Sequence, residues 1–426
     1  MFRALNKLAA PQLGEKTGFV VVSVAMNLVL LGRAFVTMQV LDYRELGIAA
    51  LLQAAIMLIG MFQLGFINGG YRLLCSASDA EAVDINGQVY VFFVAVGATV
   101  CLGAIAIMLV GDDEGARLLA PLGAVGGIAT LVRTWMTNQF IARANLRRLN
   151  HISIASNLAS LAMLAFIPVD PLAACLAAIV VQPLAFVGFA VLRDRSLLPD
   201  RLIVSRRLVR EVLAAGFLTF VTGILLQANS QLERWYVGSV LGLDALGHLY
   251  LATLFVTLFQ MVPVALDQAF LPPIVRAHSG QDRAGVRERM RQYALVTAVY
   301  CLTATLAVAV LARPVVGLLL PRYVGDLRYL YLSAPGVILL AAAGPMSLMF
   351  SALIRYRTYV VSYATGTALT GAAFGIGLLS GQALSLDLVM MVRSGANAAI
   401  AVLILIGFAI VSREFPEFRP FARSLR

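Results

Sequence analysis

Long apolar runs separated by short polar breaks recur along almost the whole chain, at residues 18–41, 46–68, 85–110, 118–140, 152–168 and 172–192. A second set follows at 212–232, 245–270, 293–312, 330–353, 359–380 and 388–411. A helix of about 20 apolar residues crosses the hydrocarbon core of a bilayer, and it satisfies its backbone hydrogen bonds internally, as lipid requires. The pattern therefore predicts twelve transmembrane helices, the fifth of them short and the tenth interrupted by Pro335 and Pro345. The expected fold class is an all-α polytopic membrane protein.

Composition sharpens this. Of the 426 residues 60% are hydrophobic and 13% charged, against about 45–50% apolar in soluble domains. A large soluble domain, a soluble enzyme and a nucleic-acid partner are excluded on this ground, in spite of a net charge of +11. The basic excess is almost all arginine, Lys7 and Lys16 being the only lysines. Basic residues collect on the cytoplasmic loops of membrane proteins. With the N-terminus inside, the inner segments hold Arg72, Arg143, Arg147, Arg148, Arg193 and most of the other basic residues. The outer loops hold only Arg44, Arg117, Arg234, Arg313, Arg322 and Arg328. Both termini are expected in the cytoplasm.

The basic stretch 193–211, with Pro199, divides the runs into two sets of six. The expected organisation is an interfacial segment at 1–17, an N-lobe at 18–192, a basic cytoplasmic linker at 193–211, a C-lobe at 212–411 and a cytoplasmic tail at 412–426. Residues 1–17 carry Phe2, Leu5 and Leu8 at helical spacing between Arg3 and Lys7, which suits a surface helix better than a signal peptide. Leu41, Leu46 and Gly47 recur as Leu241, Leu246 and Gly247 at an offset of 200 residues. Six helices per lobe make this a parallel repeat about the membrane normal. Gly65 and Gly69, Gly123 and Gly127, and Gly371 and Gly375 have the spacing of close helix packing. Cys75, Cys101, Cys175 and Cys301 imply no disulfide framework and are read as small hydrophobes.

Ionisable groups at membrane depth are costly and tend to face a partner or a cavity. Arg33, Arg133, Arg393, Asp267 and the Glu233-Arg234 pair stand out, with Gln227, Asn229, Ser230 and Gln231 on the seventh run and Gln53 on the second. Arg33 and Glu233 also lie 200 residues apart. One reading is a hydrated cleft whose arginines hold an anion, since the guanidinium fork matches phosphate. The plainer reading is a buried Arg–Glu pair, or arginines that snorkel to the interface. His151, His248 and His278 are isolated, so no zinc site is expected. The chain has no phosphate-binding loop and no nucleophile elbow, so neither ATP hydrolysis nor other enzymatic chemistry is expected of it.

The stretch Leu232-Glu233-Arg234-Trp235-Tyr236-Val237-Gly238-Ser239-Val240-Leu241-Gly242, continued by Ala245-Leu246-Gly247-His248-Leu249-Tyr250-Leu251-Ala252, resembles helices 7 and 8 of the polysaccharide flippases. These are the O-antigen and exopolysaccharide exporters of the multidrug/oligosaccharidyl-lipid/polysaccharide superfamily. Leu46-Gly47-Ile48-Ala49-Ala50-Leu51-Leu52-Gln53, and Leu64-Gly65-Phe66 with Gly69, Gly70 and Arg72, fit the same pattern. The resemblance implies a MATE-like arrangement of two six-helix lobes around a cationic cleft in the bacterial inner membrane. It implies transfer of an undecaprenyl-pyrophosphate-linked oligosaccharide to the outer leaflet by alternating access, for cell-surface polysaccharide synthesis. Arg33, Arg133 and Arg393, with Gln53, Gln227, Asn229 and Gln231, are then the expected substrate-binding residues. Glu233 or Asp267 would couple transport to a proton or sodium gradient, with no cofactor. Membrane lipids, a polysaccharide polymerase and a chain-length regulator are the implied partners. Two rivals are a MATE-type multidrug or cation antiporter, expected to carry acids in the cleft, and a membrane glycosyltransferase or polymerase, with Asp112-Asp113-Glu114 as its one acidic motif.

Overall fold

The computed structural model describes residues 22, 25–75, 77–111, 114–143, 145–352 and 356–412. The expected interfacial segment 1–17, nearly all of the tail, and Asp112 and Asp113 lie outside these residues. Among the described residues every regular element is a helix. In order they are α1 (Ala25–Val40), α2 (Tyr43–Met61), α3 (Phe66–Leu74), α4 (Asp79–Val110), α5 (Glu114–Ala142), α6 (Leu146–Met163), α7 (Pro171–Arg193) and α8 (Arg206–Tyr236). Then follow α9 (Leu243–His248), α10 (Tyr250–Ser279), α11 (Arg283–Leu319), α12 (Leu327–Ala342), α13 (Gly344–Ala352), α14 (Tyr356–Leu379) and α15 (Leu386–Val411). Nine spans among the described residues are long and apolar enough to cross a membrane, and α1 is a shorter apolar helix. The fold is a polytopic helical bundle; the count of twelve crossings remains an expectation.

Three of the apolar runs are not single helices. The run 46–68 breaks at residues 62–65, where Leu64 and Gly65 adopt left-handed backbone, with φ 46° and 87°. That turn brings Gly65 and Gly69 against α8: a Cβ on Gly69 would run into the Val212 carbonyl oxygen, and one on Gly65 would sit 3.1 Å from Gly216. The run 245–270 belongs to two helices, α9 and α10, that meet at Leu249. The run 330–353 breaks at Ala343, just before Pro345, while α12 continues through Pro335. There the Gly336 N–H donates to Ser394 Oγ on α15 at 2.9 Å.

The chain separates into two compact units, Met1–Val221 and Thr222–Arg426. Each begins a helix in the register of the sequence repeat. Asp42 caps α2 with a reciprocal pair of hydrogen bonds to Glu45, 2.8 and 2.9 Å, a capping box. Gly242, 200 residues later, caps α9 without a side chain, at φ 92°. Leu46 and Gly47 are buried behind the first cap, as Leu246 and Gly247 are behind the second. In the first unit the basic stretch after α7 is laid down on the bundle. Asn86 and Gln139 both donate to the Leu197 carbonyl at 3.2 Å, and Trp135 donates to Asn86 Oδ1 at 2.8 Å. The Ser205 N–H donates to Gln88 Oε1 at 2.9 Å.

Candidate functional site

Two guanidinium groups within the apolar runs of the first unit, Arg33 and Arg133, donate to neutral acceptors. Arg33 on α1 donates to Ser160 Oγ on α6 at 2.9 Å and to the Ala178 carbonyl on α7 at 3.0 Å. The Ser160 hydroxyl donates to that same carbonyl at 2.6 Å, which turns its lone pairs toward Arg33. Arg133 on α5 donates to Gln182 Oε1 on α7 at 3.1 Å and lies over the Phe186 ring, 5.3 Å from its centroid. Gln182 is itself held by Asn157 at 3.4 Å. Among the described residues Arg133 has no carboxylate partner. It lies within electrostatic reach of Arg33. Both side chains are half-buried. Amide and aromatic contacts orient the Arg133 guanidinium without cancelling its charge.

The second unit treats its arginine differently. Arg393 on α15 donates to Glu233 Oε1 on α8 at 2.9 Å, and the two side chains are 9% and 2% exposed. Arg234 lies within electrostatic reach of both. Deeper on the same helices, Asn229 donates to Asn397 Oδ1 at 2.9 Å and accepts from Thr370 Oγ1 at 2.9 Å. Asp267 on α10 accepts a hydrogen bond from the Tyr293 hydroxyl of α11, and that ring is stacked on Phe270, 4.9 Å between centroids.

The residues singled out from the sequence are thus distributed over three places. Arg33 and Arg133 come together in the first unit. Arg393, Glu233 and Asn229 come together in the second, where Arg393 is neutralised by Glu233 rather than free for an anion. Asp267 is paired elsewhere in that unit. Arg33 and Glu233, although 200 residues apart, have partners of different kinds. Gln231 is buried and Gln227 half-buried on α8. Gln53 is half-buried on α2 with no hydrogen bond among the described residues. His248 pairs with Asp326 at 2.8 Å, and no cluster of three metal-ligating side chains exists among the described residues. Sequence reasoning missed Ser160, Gln182, Asn397, Thr370 and Tyr293. The available signal was polarity within the apolar runs 152–168, 172–192, 388–411 and 359–380, and in Tyr293 at the edge of 293–312.

No protein-family model matches the chain, and no curated protein matches it. Solved structures do. The chain is similar to a multidrug resistance MATE family transporter of the MOP superfamily, in its inward-facing conformation, with TM-score 0.73 and 14% identity over 94% of this chain and 99% of that one. It is similar to the lipid II flippase MurJ, in an inward closed conformation, with TM-score 0.73 and 12% identity over 95% of this chain and 89% of that one. It also resembles the Vibrio cholerae MATE transporter VcmN, with TM-score 0.62 and 15% identity over 96% and 99% of the two chains. At these identities the likeness defines the fold: a MATE-like bundle of membrane-crossing helices over nearly the whole chain.

Proposed function

We propose that this protein is a flippase or exporter that carries an anionic, lipid-linked oligosaccharide across the bacterial inner membrane, its termini in the cytoplasm. The observation that carries this reading is Arg133, which Gln182 and Phe186 orient with no carboxylate partner among the described residues, within electrostatic reach of a second guanidinium, Arg33, in the same helical unit. A pyrophosphate headgroup is strongly hydrated and cannot enter hydrocarbon without replacement partners. Two guanidinium forks supply parallel charge-assisted hydrogen bonds in place of that water, while the lipid tail stays in the bilayer. The fold shared with a structure named as a lipid II flippase supports a lipid-linked cargo. Rocking of the two repeats would alternate access. For coupling, Asp267 is the better of the two expected carboxylates, because it faces a neutral tyrosine hydroxyl, whereas Glu233 is engaged by Arg393.

The test is transport in proteoliposomes loaded with an undecaprenyl-pyrophosphate oligosaccharide, together with surface polysaccharide display in cells. Arg33→Ala and Arg133→Ala should each lower transfer at least tenfold at unchanged protein level. Wild-type transfer in both variants would overturn the reading. The second reading, a multidrug or cation antiporter, rests on a likeness of equal TM-score to a MATE transporter. It predicts efflux of a cationic dye that survives Arg33→Ala and is lost in Asp267→Asn.

A further inference from the structure

At one membrane-boundary end of the first unit, α6 and α7 leave an open groove of about 350 Å³. Its rim is basic: Arg148 and His151 on the first two turns of α6, and Arg193 at the last position of α7. Its floor is apolar, formed by Ile152, Phe189 and Leu192. Leu192 is 81% exposed and Phe189 37% exposed, on spans that by length and composition belong in lipid. His151 and Arg193 make no hydrogen bond or ion pair among the described residues. Asp194 is the acid beside the rim, and it is occupied. It accepts from the Ser196 hydroxyl at 2.7 Å and backbone at 3.2 Å and pairs with Arg148 at 2.8 Å. Burial works against its charge, but Ser196 and then Arg148 and Arg143 hold its carboxyl below the ordinary value. Arg148 still has 41% of its side chain exposed.

We propose that this groove binds an anionic phospholipid of the surrounding bilayer, its phosphate among Arg148, His151 and Arg193 and an acyl chain against Ile152, Phe189 and Leu192. Membrane orientation asks for basic residues near the boundary but not for an apolar slot directly beneath them. A headgroup–chain molecule fits both parts at once, and basic pockets between helices at this depth suit anionic headgroups. The groove lies wholly within α6 and α7, so the inference holds whichever cargo the protein moves.

The experiment uses the full chain in detergent, titrated with phosphatidylglycerol or phosphatidylcholine and read by native mass spectrometry. His151→Gln/Arg193→Gln should weaken phosphatidylglycerol binding about tenfold, equivalent to about 1.4 kcal/mol, and leave phosphatidylcholine binding unchanged. Arg206→Gln, on an exposed residue of α8, removes the same single formal charge with histidine neutral; it is the charge-matched control and should change neither. Ala155→Phe, which fills the groove without altering charge, should weaken phosphatidylglycerol binding as well and keeps the test valid if the charge variant does not fold. Equal loss in the groove and control variants would mean diffuse attraction and overturn the proposal, as would wild-type binding in both groove variants. Tighter binding of undecaprenyl phosphate than of phosphatidylglycerol at the same residues would also overturn it, in favour of a cargo entrance.

Discussion

A guanidinium inside an apolar bundle is stabilised either by an anion or by a shell of neutral acceptors, and this chain contains both solutions. Arg393 takes the first, with Glu233 at 2.9 Å; Arg133 takes the second, with Gln182 and Phe186. The consequences of substitution differ accordingly. Removing one partner of a buried ion pair strands the other, at about 3–5 kcal/mol, whereas replacing both by apolar groups is often neutral. Glu233→Gln should therefore destabilise the detergent-purified protein by several kcal/mol in thermal unfolding, and Glu233→Leu/Arg393→Met should recover most of the loss. A melting temperature unmoved by Glu233→Gln would show that the pair does not form. Which arginine would take which solution was not legible in the sequence. Arg33, Arg133 and Arg393 all sit in apolar runs, and it is the packing of α8 on α15 that gives Arg393 its carboxylate.

At the scale of the helix, the glycine spacings separate in the same way. Gly65 and Gly69 on α3 meet Gly216 and Val212 on α8, and Gly127 on α5 meets Ile59 on α2. Gly371 and Gly375 on α14 have the same spacing, yet a Cβ on either would meet nothing within 4 Å among the described residues. Gly216→Ala should cost about 1–3 kcal/mol, as overpacking does, because the new methyl meets the backbone of α3. Gly371→Ala should be neutral or stabilising by up to about 1 kcal/mol, from helix propensity alone. Thermal unfolding of the two variants checks the contrast, and equal effects would remove the close α3–α8 approach. Spacing is a one-dimensional signal; whether a small residue faces a neighbour depends on the helix's rotation, which packing decides. The repeat has the same character. Residues 42 and 242 both begin helices, but one caps with a carboxylate and the other with a glycine at positive φ.

For the molecule as a whole, orientation is the property most open to direct measurement. The arginine distribution predicts that fluorescent protein fused at either terminus is fluorescent in cells and that alkaline phosphatase fused there is inactive. An active phosphatase fusion at the C-terminus would require an odd number of crossings. The helical class and the approximate placement of the spans follow from the sequence because apolar length is a local quantity: a bilayer of fixed thickness reads about 20 residues at a time. The same locality explains where that reading stopped. The breaks at residues 62–65, Leu249 and Ala343 fall inside runs whose overall hydropathy continues across them, and they are made by backbone turns. The polar partners of the arginines come from other helices distant in sequence, 49 residues away for Arg133 and Gln182 and 127 and 145 for Arg33 with Ser160 and Ala178. Hydrophobicity along the chain was enough to assign these helices to a membrane; which buried charges are cancelled and which stay available was fixed only when distant helices packed, because charge compensation is a property of pairs in space.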